Sequence, residues 1–182
     1  MREIEVKAKL KNKKGLLLKA QELGIKFGPA ITQDDYTYET SLSKDDPNWN
    51  IFRIRKQGNK TILTMKYKAS SRSRDNHERE SVIENPMEVA DMLERVGYSF
   101  GVRIKKVRQI AKYKGFELCI DEIDKLGSFI EVEKLAQDNV DVDEIQNDLW
   151  ELLMQLGVSP RDRVHKGYDT LMHELLSTKE TN

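Results

Sequence analysis

The sequence predicts an α+β fold, an eight-stranded antiparallel β-barrel with helices packed outside it. Three observations carry that reading. Segment after segment alternates apolar and charged residues at period two, the mark of half-buried strands. Short apolar stripes at helical spacing lie between or after these segments, enough to cover the aliphatic strand faces. Charged residues make up 34% of the 182, with 31 basic and 31 acidic side chains, so charge is abundant, balanced and must be sorted in space. A sheet closed on itself, with helices over its aliphatic face, turns its charged face inward.

The first strand, 2–9, places Ile4, Val6 and Ala8 on one face and Glu3, Glu5, Lys7 and Lys9 on the other. A helix over 13–23 carries Leu16, Ala20 and Leu23 and stops at Gly24. A weaker strand follows over 32–39. In 50–56, Phe52 and Ile54 oppose Arg53 and Arg55. In 61–68, Leu63, Met65 and Tyr67 oppose Ile62, Thr64, Lys66 and Lys68, and Gln57-Gly58-Asn59 between them is a hairpin turn. After a weak strand over 78–84, Pro86 behind a cap at Asn85 opens a helix bearing Val89, Leu93 and Val96. Another weak strand spans 102–112. Phe116, Leu118 and Ile120 then oppose Glu117, Cys119 and Asp121, and Phe129 and Val132 flank Glu131 and Glu133. Asp143 with Gln146 reads as a capping box for a helix with Ile145, Leu149, Leu152 and Leu156. A short last helix spans 168–176. The apolar stripes are core. The polar loops 41–50 and 69–77 are expected to be mobile. No repeat or linker divides the chain, so 1–182 reads as a single domain.

Composition excludes several classes. Zero net charge offers no bulk field for DNA. The longest aliphatic run is Leu16-Leu17-Leu18, too short for a membrane span, and no apolar segment resembling a secretory signal follows the first residues. The lone Cys119 forms no intrachain disulfide, which suits a cytoplasmic location. His77, His165, His173 and Cys119 are scattered and make no zinc site, so any metal here is a hard ion held by carboxylates. Buried charges without a ligand are costly unless each is matched; an extended polyanion with a divalent ion supplies the match.

Glu3-Ile4-Glu5-Val6-Lys7 resembles the ExExK signature of the CYTH superfamily. The resemblance continues in order through Arg53-Ile54-Arg55, Leu63-Thr64-Met65-Lys66, Lys106-Val107-Arg108, Ile120-Asp121, Phe129-Ile130-Glu131-Val132-Glu133 and Lys166-Gly167-Tyr168. It implies the triphosphate tunnel fold, a barrel open at both ends, shared by class IV adenylyl cyclases, thiamine triphosphatases and inorganic triphosphatases. The family's Arg-x-Glu-x-Glu strand is altered here: Asn76 stands where Arg is usual. Two registers stay open, one with Glu78 and Glu80 inward and one shifted by a residue; Ser81 and Ile83 on the opposite face favour the first.

The resemblance implies that Glu3, Glu5, Glu131 and Glu133 bind Mg2+ or Mn2+, and that Lys7, Arg53, Arg55, Lys66, Lys106 and Arg108 bind phosphate. Lys7, Lys106 and Asp121 are the candidate catalytic residues: a lysine with a lowered pKa takes the proton from the attacking group, and Asp121 orients a base or a second metal. The alternative for the glutamates is a solvated strand face, for the basic set surface salt bridging, and for Asp121 a turn-initiating aspartate before Glu122–Gly127. Lys68 is the weakest of the phosphate candidates, expected beyond the tunnel mouth, and Tyr36 and Tyr168 are candidates to close on substrate. The expected partner is a small-molecule triphosphate; a homodimer is compatible with the sequence. Adenylyl cyclase chemistry on ATP is favoured, with a triphosphatase and a non-catalytic sensor as alternatives. Arg55→Ala is expected to weaken triphosphate binding and, by relieving like-charge repulsion, to raise the melting temperature of the empty protein.

Overall fold

The computed structural model describes residues 2–42, 46, 48–70 and 74–180. Its strands are β1 (Arg2–Lys9), β2 (Ile31–Glu39), β3 (Asn50–Gln57), β4 (Lys60–Lys68), β5 (Asp75–Val82), β6 (Ser99–Tyr113), β7 (Phe116–Ile123) and β8 (Gly127–Ala136). Its helices are α1 (Lys13–Glu22), α2 (Pro86–Arg95), α3 (Val142–Gln155) and α4 (Tyr168–Glu180). The strands close into a barrel in the order β1-β5-β4-β3-β2-β6-β7-β8, every neighbouring pair antiparallel.

The ladders differ in length. β1 pairs with β8 from Arg2↔Ala136 to Lys9↔Phe129, but with β5 only from Arg2↔His77 to Ile4↔Asp75. That short ladder is extended by the Glu5 N–H, which donates to the Arg74 carbonyl at 3.0 Å. It is braced by the Arg2 guanidinium, which grips Asp75 at 2.7 and 2.9 Å. β5 starts at Asp75, inside the segment expected to be a loop; residues 43–45, 47 and 71–73 of the two polar loops lie outside the described residues. The alternation that marks other strands is missing from Asp75 to Glu80, because both faces there are polar.

The main apolar core lies outside the barrel wall, not inside it. Ile4, Val6, Ala8, Leu118, Ile120, Ile130 and Val132 point outward and are sealed by Leu16 and Ala20 of α1 and by Ile145, Leu149, Leu152, Leu153 and Leu156 of α3. A smaller cluster joins Tyr38 and Ile54 to Leu93 of α2. These outer layers fix the sheet's two sides, since a one-residue slip would exchange the aliphatic and charged faces. Gly58, at φ 57°, takes the left-handed conformation that the β3–β4 turn requires.

Two helix starts differ from expectation. α3 is capped by Asp141, whose side chain accepts from the N–H groups of Asp143 and Glu144, so Asp143 lies inside the first turn. Asn85 precedes Pro86 as expected, but its side chain makes no capping bond.

The fourth helix sits differently from the others. Tyr168 and Met172 of α4 are buried with Val102, Ile104, Ile123 and Phe129, with Leu171 and Leu175 beside them. Those four strand residues share the inward face with Lys106, Arg108, Asp121 and Glu131. α4 therefore covers one end of the lumen on the β6–β7–β8 side, and the tunnel's two ends are not equally open.

Candidate functional site

The lumen is a cavity of about 1160 Å³, lined by alternate residues of all eight strands and by the start of α4. The metal- and phosphate-binding residues implied by the resemblance all line this cavity: Glu3, Glu5 and Lys7 from β1, Arg53 and Arg55 from β3, Lys66 from β4, Lys106 and Arg108 from β6, and Glu131 and Glu133 from β8. β5 takes the first of the two registers, with Asn76, Glu78 and Glu80 inward; Glu78 reaches Lys66 at 2.8 Å. Of the paired aspartates on β2, Asp35 is the inward one, 3% exposed, while Asp34 bonds Arg103 on the outer surface.

Three acids stand together. Glu3, Glu5 and Glu133 each offer a carboxylate oxygen within 4.8 Å of the others'. The register explains it, since Glu5 and Glu133 are direct partners across β1 and β8 and Glu3 lies two residues along the same face. Burial pushes the Glu3 carboxyl well above its ordinary range, opposed by Lys66 and reinforced by Glu78, Glu5 and Glu133. Burial also pushes Glu133 up to about 7, with Glu5 and Glu131 adding to it. Glu5 stays low because Arg74, with Lys66 and Lys7, outweighs its burial. This is a crowded, all-oxygen donor set in which two of the three carboxyls are pushed up, and it fits a hard divalent ion.

Glu131 is placed elsewhere. Its carboxylate is held by Lys7 at 2.7 Å and by Arg108 at 2.5 Å, so the four acids implied by the resemblance divide into a cluster of three, Glu3, Glu5 and Glu133, and one residue set apart among the bases.

The bases are organised by a second set of acids. Arg55 makes a two-pronged contact with Asp35 at 2.7 and 2.8 Å. Burial raises the Asp35 carboxyl, and the Arg55 guanidinium more than reverses that, holding it well below the carboxylate range. Asp121, fully buried within β7, accepts from Arg108 at 2.7 and 2.5 Å and from Lys106 at 3.5 Å. Its place is that of an orienting group for two bases, not of a turn residue. Arg53 is looser: one amino group reaches Thr64 at 3.1 Å and Glu80 at 3.3 Å, and its Nε is buried without a hydrogen-bond partner among the described residues.

One lysine was expected to have a lowered pKa, and both candidates do. Lys106 falls to about 8, first through burial and then through Arg108. Lys7 is also lowered, by burial and then by Arg74; neighbouring positive charge comes second in each. The Lys7 ammonium sits 3.5 Å from the centre of the Tyr168 ring, and the Tyr168 hydroxyl is buried without a hydrogen-bond partner among the described residues.

Other candidates fall away. Tyr36 faces outward beneath α2, stacked by Arg103 at 5.1 Å. Lys68 lines the mouth of the lumen, as does His165. His173 bonds Glu39 at 3.1 Å, and His77 packs on Tyr67 with ring centres 5.1 Å apart. Cys119 is buried and its thiol is pushed far up by burial, which leaves it inert as a nucleophile. A charged side chain of the lumen escaped sequence reasoning: Arg74, from the β4–β5 connection, reaches Glu5 at 2.5 Å. It lies outside every strand pattern and outside the motif that would have supplied an Arg at position 76.

A family profile of the CYTH domain matches residues 1–168. The chain belongs to the CYTH family. A Methanocaldococcus jannaschii protein named "Putative adenylate cyclase MJ0240" is 28% identical to this CYTH chain, over 92% of it and 97% of the relative. The solved structure of PH1012 from Pyrococcus horikoshii superposes with a TM-score of 0.78 at 26% identity, covering 93% of this chain and 98% of that one. The Hippeastrum protein named "Putative adenylyl cyclase HpAC1", for which a dominant triphosphatase activity is stated, shares the fold at a TM-score of 0.60 and 18% identity. It covers 91% of this chain and 90% of its own. The CYTH barrel and its eight antiparallel strands agree with the fold read from the sequence.

Proposed function

We propose that this CYTH protein is a divalent-metal-dependent enzyme that binds a linear triphosphate along the barrel and converts ATP to cyclic AMP and pyrophosphate. The observation that carries the reading is the division of the lumen. The three clustered acids Glu3, Glu5 and Glu133 stand in the same tunnel as Lys7, Arg53, Arg55, Lys66, Lys106 and Arg108. Basic side chains on several strands suit an extended anion rather than a single phosphate. Mg2+ or Mn2+ held by the three glutamates would neutralise charge on phosphate oxygens.

The chain's own groups account for the rest. Arg53 and Lys66 bind phosphate oxygens; Arg55 and Arg108, held by Asp35 and Asp121, do so from fixed positions. Lys106 in its neutral form accepts the proton of the ATP 3′-hydroxyl as that oxygen bonds to the α-phosphorus. The bond from the α-phosphorus to the bridging oxygen breaks, and pyrophosphate leaves with its electron pair. Trp49 and Ile51 line the lumen beside the β2–β3 connection and offer apolar surface for the purine.

A second reading is a triphosphatase, in which water attacks the terminal phosphorus of tripolyphosphate, thiamine triphosphate or a nucleotide. HpAC1 favours it. The test is incubation with Mg2+ or Mn2+ and each of ATP, tripolyphosphate and thiamine triphosphate, followed by product identification. Cyclic AMP with pyrophosphate is the expected result. Orthophosphate alone makes the second reading correct, and no turnover of any of them overturns both.

A further inference from the structure

The guanidinium groups of the lumen are not equivalent. Arg55 and Arg108 each close a fork on one aspartate, Asp35 and Asp121. Arg74 does not. One amino group reaches Glu5 at 2.5 Å, the other donates to the backbone carbonyl of Lys166, and its Nε is buried with no partner among the described residues. A buried donor left open is rare enough to call for a missing acceptor. The residue is also held firmly in place. Arg74 has φ 64°, a left-handed conformation unusual for a residue with a Cβ. Its carbonyl accepts the Glu5 N–H at 3.0 Å, so backbone and side chain both tie it to that glutamate. Glu5 is in turn one of the three clustered carboxylates.

We propose that Arg74 is a further phosphate-binding residue, and that without ligand its guanidinium serves as the resident counter-ion of Glu5, in competition with a divalent ion. A cation at the three carboxylates takes over the charge of Glu5 and repels the guanidinium. The freed fork, with its open Nε, then grips a phosphate oxygen beside Lys7. The inference rests on the metal-and-triphosphate reading of the lumen.

The test measures two affinities in one variant. Mn2+ binding, followed by electron paramagnetic resonance without nucleotide, and tripolyphosphate binding, followed by calorimetry with Mn2+ present, are compared in wild type, Arg74→Gln and Arg74→Lys. Arg74→Gln should bind Mn2+ roughly tenfold more tightly, because its competitor is gone, and tripolyphosphate at least about tenfold more weakly. Arg74→Lys, which keeps the charge but loses the fork, should leave Mn2+ affinity near wild type and still weaken tripolyphosphate. A merely structural arginine would weaken both ligands together, and that result, or no change in either, overturns the assignment. If Arg74→Gln does not fold, the Arg74→Lys pattern decides alone. Failure of the wild type to bind either ligand would instead remove the metal-and-triphosphate reading, so the two failures are distinguishable.

Discussion

Lys7 and Glu131 are direct partners across β1 and β8 and form a 2.7 Å ion pair whose side chains are 1% and 6% exposed. An acid expected to hold metal thus neutralises a base expected to hold phosphate. Breaking such a pair leaves an uncompensated buried charge. Glu131→Gln should therefore destabilise the empty protein by roughly 3–5 kcal/mol, and tripolyphosphate should restore part of the loss by supplying negative charge. Denaturant unfolding with and without tripolyphosphate measures both. Equal stability of variant and wild type would show that the pair is electrostatically idle.

Arg55→Ala should lower the melting temperature, the reverse of what like-charge repulsion in the tunnel suggested. The reason is Asp35, 3% exposed and gripped only by the Arg55 fork among the hydrogen bonds described. Removing the guanidinium strands a buried carboxylate, a loss of about 3 kcal/mol or more. Arg55→Ala,Asp35→Ala together should recover much of it. Thermal unfolding of the single and double variants is the measurement, and a stabilised single variant would restore the repulsion argument.

Glu133→Gln should raise the melting temperature of the metal-free protein, because it removes one of three crowded buried carboxylates while keeping the side chain's volume. The same change should abolish most of the stabilisation that Mn2+ gives the wild type. Melting curves with Mn2+ and with chelator test both halves. An unchanged Mn2+ shift would place the ion away from Glu133.

Tripolyphosphate binding at about pH 9 should take up protons. Lys106 has its pKa lowered to about 8 by burial, with Arg108 and Arg55 adding to that and Asp121 and Asp35 opposing it; the Tyr168 ring faces it at 5.2 Å. An arriving polyanion favours the charged ammonium and draws a proton in. In the empty protein the sign runs the other way. Between pH 8 and the ordinary lysine value the unfolded chain binds that proton more tightly, so stability rises with pH. Calorimetry in two buffers of different ionisation enthalpy reads the uptake, which Lys106→Arg should reduce. No buffer dependence would mean that the lysine is already charged.

The barrel was legible because most strands alternate strictly, and Glu3-Ile4-Glu5-Val6-Lys7 is the clearest case. β5 was the hardest, since Asp75 to Glu80 is polar on both faces and carries no period. Most of the lumen's residues could be named from strand parity together with the CYTH resemblance, but not their partners. That Asp121 serves Arg108 and Lys106 while Glu131 serves Lys7 depends on distances across neighbouring strands, which no single strand encodes. Arg74 was invisible for a related reason: it acts from a connection, where neither period two nor helical spacing applies.

A closed ring of ladders gives way first at its shortest one. The β1–β5 seam, three residue pairs long, divides the cylinder beside Glu3 and Glu5, with the Arg2–Asp75 clasp across it. Spontaneous breathing of the wall should concentrate there, and amide hydrogens of β5 near His77 should exchange sooner than those of β8 facing β1. A cation drawing Glu3 and Glu5 of β1 together with Glu133 of β8 would stiffen the strand next to the weak line without lengthening it. Whatever occupies the tunnel would then set how often the wall opens, so its lifetime inside is tied to the mechanics of a single seam.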